Sequence, residues 1–233
     1  MKNSIAIALI ALPVALAACV TGSSDPTDQD PTAPDSTDDT STSPPPLPDD
    51  SAILGPHKAL LDKVLNAADP QAAYNQLSSE EKAEFDSLTK PAGDPTVNTT
   101  VTGGAPAITP DVATAKFTGC WGMHATGGAK ALAGNTLYTF WQDTGVCVKN
   151  GKVTSVSITN AHGETSTPGW RIAHAPTTSK LNAGWEGRGL AEYHFVLGAG
   201  PWDIQHPSDC LQLRLNADGK HHRVFYGCDL ESP

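Results

Sequence analysis

Hydrophobic and polar residues alternate in short runs over the second half of the chain, from about residue 112 onward. Leu211, Leu213 and Leu215 are separated by single polar residues, which is the period of a strand with one buried face. An Asp-Gly pair follows at 218–219, and residues 222–226 repeat a strand pattern. This stretch therefore predicts a β-hairpin.

A second hairpin is predicted where Asn150-Gly151 separates residues 146–149 from 152–158. Asn-Gly favours the type I′ turn, whose twist matches that of paired strands. Further strands are predicted over residues 115–123, 136–142, 170–174 and 193–197. Many short strands joined by regular turns indicate an antiparallel β-sandwich or barrel. Residues 112–233 form this β domain, and a domain of about 120 residues can bury one core.

Residues 51–90 follow a helical pattern instead. Leu61, Leu65 and Ala68 recur at helical spacing, with Leu60 and Val64 on an adjoining stripe. We expect two or three helices that pack on each other or on the β domain, because helices this short are marginal alone.

Local signals mark where these helices begin and end. Asp69-Pro70 ends one helix and opens the next, and Ser78 with Glu81 fits a capping box. Lys90-Pro91 ends the run. Residues 91–111 are rich in Pro, Gly and Thr and are predicted to be a linker or a loosely attached strand.

Residues 20–50 contain almost no large apolar side chain. They hold eight Asp and no Lys or Arg, whereas residues 112–233 carry a net charge of +1. Such a segment cannot bury enough surface to offset its chain entropy, so residues 19–50 are predicted to be a disordered acidic linker. The negative charge of the chain thus belongs to the linker. No basic patch stands out, and a nucleic-acid partner is not expected.

The first 18 residues have the pattern of an export signal. Lys2 supplies a positive start, and residues 5–12 are an apolar run that is too short for a permanent membrane helix. Small residues precede position 19, as signal peptidases require. We therefore expect residues 1–18 to be removed as a signal peptide.

The motif Leu16-Ala17-Ala18-Cys19 resembles the lipobox of bacterial prolipoproteins. That resemblance implies cleavage before Cys19, a diacylglyceryl group on its sulfur and acyl chains such as palmitate that hold the protein on a membrane. Each buried CH₂ contributes about 0.8 kcal/mol, and two or more chains give stable anchoring. The residue after the cysteine is Val20 rather than Asp, which by the same resemblance implies the outer membrane in a Gram-negative cell and otherwise the outer face of the cell membrane.

Four cysteines remain besides Cys19, and an exported protein meets oxidising conditions, so two disulfides are expected. Three pairings are open, and the local one, Cys120–Cys147 with Cys210–Cys228, is favoured. Folding about residues 218–219 brings the second pair nearly opposite one another. A zinc site is the rival use of these thiols, but there is no CxxC pair.

Several β-domain motifs loosely resemble small secreted bacterial all-β proteins of unassigned function. The resemblance implies the β fold and the first disulfide, and it brings no activity. The motifs are Gly119-Cys120-Trp121, Leu137-Tyr138, Trp141, Cys147, Asn150-Gly151 and Gly169-Trp170.

The acid/base candidates of the β domain are Glu164, Glu192 and His194, which could act together only if the fold brings them into one cleft. No GxSxG elbow is present. Histidines are numerous, but none follows a metal-ligand spacing such as HExxH, so neither a metal nor a cofactor is expected. These histidines are His124, His162, His174, His194, His206, His221 and His222.

Tryptophans offer a second kind of site, because their faces stack on sugar rings. Trp121 and Trp141 lie in predicted strands and are expected in the core. Trp185 and Arg188 lie in a glycine-rich stretch, residues 182–189, which with Trp202 we expect to form surface loops. The first hypothesis is a non-catalytic envelope lipoprotein that binds a glycan or another envelope component through these loops. The alternatives are a secreted hydrolase and a purely structural envelope protein.

Overall fold

The fold is built from two antiparallel β-sheets. The structure, a computed structural model, describes residues 47–103, 116–198 and 208–231. Within these residues the strands are β1 (Thr96–Gly103), β2 (Gly119–Lys130), β3 (Thr136–Lys149), β4 (Lys152–Thr165), β5 (Trp170–Ile172), β6 (Thr177–Asn182), β7 (Glu186–Leu197), β8 (Ser208–Asn216) and β9 (His222–Tyr226). The predicted mainly β, antiparallel fold is confirmed.

The first sheet has the strand order β1-β2-β3-β4 and the second the order β5-β7-β8-β9, with β6 also paired to β7. All neighbouring strands are antiparallel. The two sheets enclose one hydrophobic core. The Asn150-Gly151 turn between β3 and β4 has positive φ at both residues, 53° and 70°, as the predicted type I′ turn requires.

Aromatic side chains fill the middle of the core. Tyr138 of β3 stacks on Phe195 of β7 with ring centroids 4.0 Å apart, and Phe140 lies 4.9 Å from Tyr193 in the same way. These rings are almost fully buried. Stacked aromatic pairs contribute about 0.5–1.5 kcal/mol beyond the effect of burying their surface, so these two pairs stabilise the packing of β3 against β7 in the middle of the core.

Strand β4 departs from simple alternation. Thr144 pairs with Ile158 while Asp143 pairs with Asn160, so Thr159 is an extra residue in β4. A second shift occurs beside Thr154. After each bulge, the side chains lie on the face opposite to the one that simple alternation would give. The sequence pattern does not predict these shifts.

Both disulfides have the favoured pairing. Cys120 and Cys147 are directly opposite on β2 and β3, with Cα atoms 4.0 Å apart. Cys210 on β8 is bonded to Cys228 just beyond β9, with Cα atoms 5.1 Å apart. The first bond lies within one sheet, and the second ties the C-terminal segment to the other sheet.

The helices are α1 (Ser51–Leu54), α2 (Lys58–Leu65), α3 (Pro70–Asn75) and α4 (Ser79–Thr89), with a 3₁₀ turn at Gly55–His57. The capping box is present, because Ser78 Oγ accepts from the Glu81 N–H and the Glu81 carboxylate accepts from the Ser78 N–H. Asp69 caps α3 through the Ala72 N–H. The helices share a small apolar core of Leu61, Val64, Leu77, Phe85 and Leu88.

The helices pack against one end of the β-sandwich, which we call the helical end. The Trp170 indole N–H donates to the carbonyl of Thr89 at 3.0 Å, and the Asn135 amide donates to the carbonyl of Leu88 at 3.0 Å. Asp50 accepts from the Thr136 N–H. The segment that precedes α1 therefore joins the sandwich at the helical end.

A linker or a loosely attached strand was predicted for residues 91–111, and the structure shows a strand there: β1 pairs with β2 along its whole length. Its run of Thr and Val residues suits a strand. Strand β6 was not predicted, because its exposed and mostly polar side chains give no hydrophobic period.

Some predictions concern residues that the structure does not describe. The signal peptide 1–18, Cys19, most of the linker 19–50 and residues 104–111 lie outside the described residues, as do Trp202 and His206. Among the residues that are described, none of the helices has the length and apolar character needed to cross a bilayer.

Candidate functional site

The three acid/base candidates do not converge. Glu192 and His194 lie two residues apart on β7, with Oε1 and Nε2 3.1 Å apart. Tyr193 between them points into the core, so both side chains lie on the outer face of the second sheet. Gly163 of β4 faces Phe195 across the core, so Glu164 lies on the outer face of the first sheet.

Glu164 is therefore separated from the other two by the thickness of the sandwich, since packed sheets are about 10 Å apart. The predicted trio is corrected to a Glu192–His194 pair on one surface and an unrelated carboxylate on the other. The trio was predicted wrongly because spacing along the sequence does not show which strands belong to the same sheet or which face a side chain lies on. A hydrolase that uses all three residues is not compatible with this arrangement.

The glycine-rich stretch at 182–189 is mostly strand rather than loop. Only residues 183–185 form a turn, and β7 begins at Glu186. A Cβ atom at Gly187 would lie 2.4 Å from Val146 Cγ1, and one at Gly189 would lie 2.4 Å from Thr144 Oγ1. These glycines are needed because the two sheets approach closely, which corrects the prediction that this stretch is a surface loop.

Arg188 is an internal residue and not a ligand contact. Its side chain is 6% exposed, its Nε–H donates to Glu186 at 2.7 Å, and Nη1–H donates to the carbonyl of Leu230. Gln212 donates to the carbonyl of Asp229. The segment after β9 therefore covers the outer face of β7 and β8, and the ligand-binding prediction for Arg188 is corrected.

Trp185 differs from the other described tryptophans, because it is 55% exposed. Trp121, Trp141 and Trp170 are each no more than 5% exposed, and Trp121 and Trp141 were expected in the core. Trp185 lies at the turn between β6 and β7, in the surface position that the sequence predicted. The tryptophan expected to accompany it, Trp202, is not among the described residues.

The backbone that presents Trp185 is held on both sides. The Trp185 carbonyl accepts from the Ala217 N–H at 2.8 Å, and the Gly184 carbonyl accepts from the Val153 N–H at 2.7 Å. Within the turn, Asn182 Oδ1 accepts from the Gly184 N–H at 2.9 Å. These bonds connect the β6–β7 turn to the β3–β4 and β8–β9 hairpins.

Three hairpin turns thus form one continuous surface, which we call the turn end: residues 150–151, 183–185 and 217–221. It lies at the opposite end of the sandwich from the helices. Phe117 joins two of these turns, because its carbonyl accepts from the Gly151 N–H at 2.9 Å and its ring lies against Gly219. The exposed lysines of this end are Lys116, Lys149, Lys152 and Lys220.

A half-buried carboxyl group that the sequence pattern did not single out lies at the other end of the second sheet. Asp209 lies two residues before Leu211 on β8 and hydrogen-bonds to the buried Tyr138 hydroxyl. Burial raises the pKa of Asp209 and the nearby Asp94 charge raises it further, while the Tyr138 hydrogen bond acts in the opposite direction. Burial also raises the pKa of Tyr138, so its hydroxyl stays protonated and donates.

A signal for Asp209 was present in the sequence. It continues the period-two series of Leu211, Leu213 and Leu215, whose side chains face the core. A carboxyl group in register with three buried leucines is costly unless it is partnered or serves a purpose. The register of Asp209 with these leucines therefore indicated a candidate site residue.

A polar array on the outer face of the first sheet was also missed. His124 Nδ1 lies 2.6 Å from Asp143 Oδ1, directly across the strand pair, and His124 Nε2 lies 3.0 Å from Thr126 Oγ1. The array fixes the orientation of the imidazole. Directly opposed polar pairs on a sheet contribute about 0.2–1 kcal/mol, so a role in strand pairing accounts for it.

The structure brings possible metal ligands close together at one point among the described residues. Ligand atoms of Glu192, Cys210 and Cys228 lie within 4.8 Å of one another. The two sulfur atoms are bonded to each other, however, so neither cysteine supplies a thiolate while the disulfide is intact. His174 and His194 also approach, with ring centroids 4.2 Å apart.

Comparison with known proteins adds little to this geometry. No protein-family model matches the sequence, and no curated protein matches it. A hypothetical protein from Listeria monocytogenes EGD-e, solved by crystallography, is 14% identical over 57% of this chain and 94% of its own chain, with a TM-score of 0.29.

Proposed function

We propose that the protein is a lipid-anchored envelope protein whose β domain is a non-catalytic binding module for a glycan. The observation that carries the proposal is the exposure of Trp185 at a turn whose backbone is hydrogen-bonded on both sides. An exposed indole is costly to keep in water. Its flat face suits the apolar face of a sugar ring.

Rigidity supports recognition at this position. Residues 183–185 are held by hydrogen bonds to two other hairpins, so little backbone freedom remains to be lost when a ligand binds. Preorganised contacts gain affinity because association then costs less conformational entropy. A tryptophan has only two side-chain torsions, which keeps the remaining cost small.

The charges of the turn end favour an acidic glycan. Lys149 and Lys152 flank the β3–β4 turn, Lys116 lies against Gly151, and Lys220 lies in the β8–β9 turn. Asp218 is also in that turn, but its carboxylate is hydrogen-bonded to His221. Clustered lysines attract carboxylated or sulfated sugars, and salt screens this attraction.

The point where the linker joins the folded part lies far from the turn end. We infer from the lipobox that Cys19 carries the lipid and that residues 19–50 link it to the folded part. Asp50 joins the sandwich at the helical end, so Trp185 lies at the opposite end of the sandwich.

A glycan array tests the recognition proposal with the full mature chain purified in detergent. We expect binding to acidic glycans that weakens at least tenfold in Trp185→Ala and weakens with added salt. Leu132→Ala is the matched control, because Leu132 is also apolar and is 66% exposed in the loop between β2 and β3, near the helical end. Equal binding by the two variants, or no glycan bound by the wild type, would overturn the proposal.

The anchor is tested separately by Cys19→Ser. We expect the wild-type protein to incorporate labelled palmitate and to partition into the detergent phase, and the variant to do neither. A variant that still partitions into detergent would contradict lipid anchoring at this residue, whatever the array shows.

A further inference from the structure

A cavity of about 460 Å³ opens near the helical end of the second sheet, away from Trp185. It lies between the residues that precede β1, the start of β8 and the end of β9. Binding sites for small molecules commonly have volumes of about 300–1,000 Å³. Its walls include Asp94, Pro95, Asp209, Cys210, Tyr226 and Cys228.

The carboxyl group of Asp209 is incompletely satisfied in this wall. Tyr138 hydrogen-bonds to the carboxyl group, but Oδ2 is buried and has no hydrogen-bond partner among the described residues. A buried carboxylate oxygen without a donor costs free energy, because it has lost its water and gained nothing in return. Asp94, in the same cavity, adds a second negative charge rather than a compensating positive one.

We propose that this cavity binds a small organic cation, an ammonium or guanidinium group attached to an apolar body. The cationic N–H would donate to Asp209 Oδ2 and be attracted by Asp94. Such a ligand provides the donor and the positive charge that the described residues of the wall lack. Hydrogen bonds between charged partners are about twice as strong as neutral ones.

The rest of the wall suits an organic cation better than a metal ion. Tyr226 is 55% exposed at the end of β9 and presents an aromatic ring, which attracts cations and covers apolar groups. Pro95 and the Cys210–Cys228 disulfide are weakly polar. Hard cations such as Ca²⁺ take six to eight oxygen ligands, whereas the side chains of this wall offer two carboxylates.

The disulfide fixes the shape of the site. Cys210 follows Asp209 directly, and Cys228 lies two residues after Tyr226. The Gly227 N–H also donates to the carbonyl of Cys210. The carboxyl group and the aromatic ring are therefore held at a fixed separation, as a preorganised site requires.

Calorimetry on the full mature chain tests the proposal with 2-phenylethylammonium and its uncharged analogue 2-phenylethanol. We expect saturable binding of the ammonium at least tenfold tighter than that of the alcohol, and a loss of at least tenfold in Asp209→Asn. Glu164→Gln, which removes a carboxylate from the outer face of the first sheet, is the control and should bind like the wild type. Equal affinity for the two probes, or undiminished binding by Asp209→Asn, would refute a cation site.

Tyr226→Ala is a second variant that tests the cation site if Asp209→Asn does not fold. This residue is more than half exposed, so the variant should fold, and we expect severalfold weaker ammonium binding. Ammonium binding equal to that of the wild type would mean that the Tyr226 ring does not contact the ligand and would contradict the proposal. Trp185→Ala should leave ammonium binding intact, so failure here and failure of the glycan proposal are distinguishable.

The pH dependence gives an independent readout. Among the described residues, the titratable groups that face Asp209 are Asp94, Tyr138 and Tyr226, and both tyrosines stay neutral well above pH 8 because their pKa values are raised. Because the pKa of Asp209 is raised by burial, we expect ammonium affinity to rise between pH 4 and 8 as Asp209 loses its proton. An affinity that stays flat or falls over this range would contradict recognition by a carboxylate.

Discussion

Gly187 of β7 lies directly against Val146 of β3, so closely that a Cβ atom at position 187 would be 2.4 Å from Val146 Cγ1. The same atom would be 2.9 Å from Val156 Cγ2. Both valines are buried between the two sheets. The spacing of the sheets beneath the turn end therefore depends on the absence of a side chain at this position.

Gly187→Ala should destabilise the protein by about 1–3 kcal/mol, because overpacking forces neighbouring side chains and backbone to move. Gly55→Ala is the matched control, since its Cβ would meet nothing within 4 Å and its φ is helical at −55°. That control should be neutral or stabilise by up to about 1 kcal/mol. Urea unfolding of both variants measures the difference, and equal effects would mean that the close approach is wrong.

Arg188→Met should cost about 3–5 kcal/mol, because it leaves Glu186 as a buried charge without its partner. Glu186 is 1% exposed and lies 2.7 Å from the Arg188 Nε. The double variant Glu186→Gln/Arg188→Met should recover part of this loss, which urea unfolding measures as a coupling free energy. A single variant as stable as the wild type would show that the pair is not buried in solution and would reopen a surface role for Arg188.

Each disulfide should contribute about 3 kcal/mol by restricting the unfolded chain. Their local effects should differ, because Cys228 holds the segment that covers Arg188 while Cys147 lies within the first sheet. We expect Cys210→Ser/Cys228→Ser to expose residues 227–231 to carboxypeptidase and Cys120→Ser/Cys147→Ser to leave them protected. Equal protection in both double variants would contradict the role of the C-terminal cover.

Asp209 should make stability depend on pH in the opposite sense to an ion-paired carboxylate. Its pKa is raised in the folded protein, so the folded state binds its proton more tightly than the unfolded state does. The associated stability is complete below the ordinary pKa of 3.8 and is lost as pH rises through the raised value. Relative to the wild type, Asp209→Asn should therefore gain stability between pH 4 and pH 7.

Urea unfolding at several pH values in that interval measures this gain, with Glu164→Gln as the control for removal of one negative charge. A difference between wild type and Asp209→Asn that does not change with pH would mean that the carboxyl group is solvated. If the wild type instead becomes more stable than Asp209→Asn as pH rises, a positively charged group of the chain must already be paired with the Asp209 carboxylate.

The β8–β9 hairpin and the capping box could be predicted because their signals are local. Leu211, Leu213 and Leu215 alternate without interruption, and the side chains of Ser78 and Glu81 satisfy backbone groups within one helical turn. In these elements propensity, period and turn chemistry favour the same structure. Such elements can be predicted from the sequence alone, without knowledge of tertiary contacts.

The site was harder to predict because its determinants are tertiary. Gly187 and Gly189 suggest a flexible loop by composition, but they are required by side chains of another sheet. The separation of Glu164 from His194 depends on which strands share a sheet, and in β4 the bulge at Thr159 shifts the alternation before Glu164 is reached. The exposed position of Trp185 was predicted, and Asp209 could have been found from its register with the buried leucines.

Indole NMR of the full mature chain tests the central claim most directly, with the glycan that binds best on the array as titrant and Trp185→Phe to assign the peak. We predict a saturable shift of the Trp185 indole N–H, while the peaks of the buried Trp121, Trp141 and Trp170 stay in place. A glycan that binds to saturation and leaves the Trp185 peak unmoved would contradict recognition through the turn end.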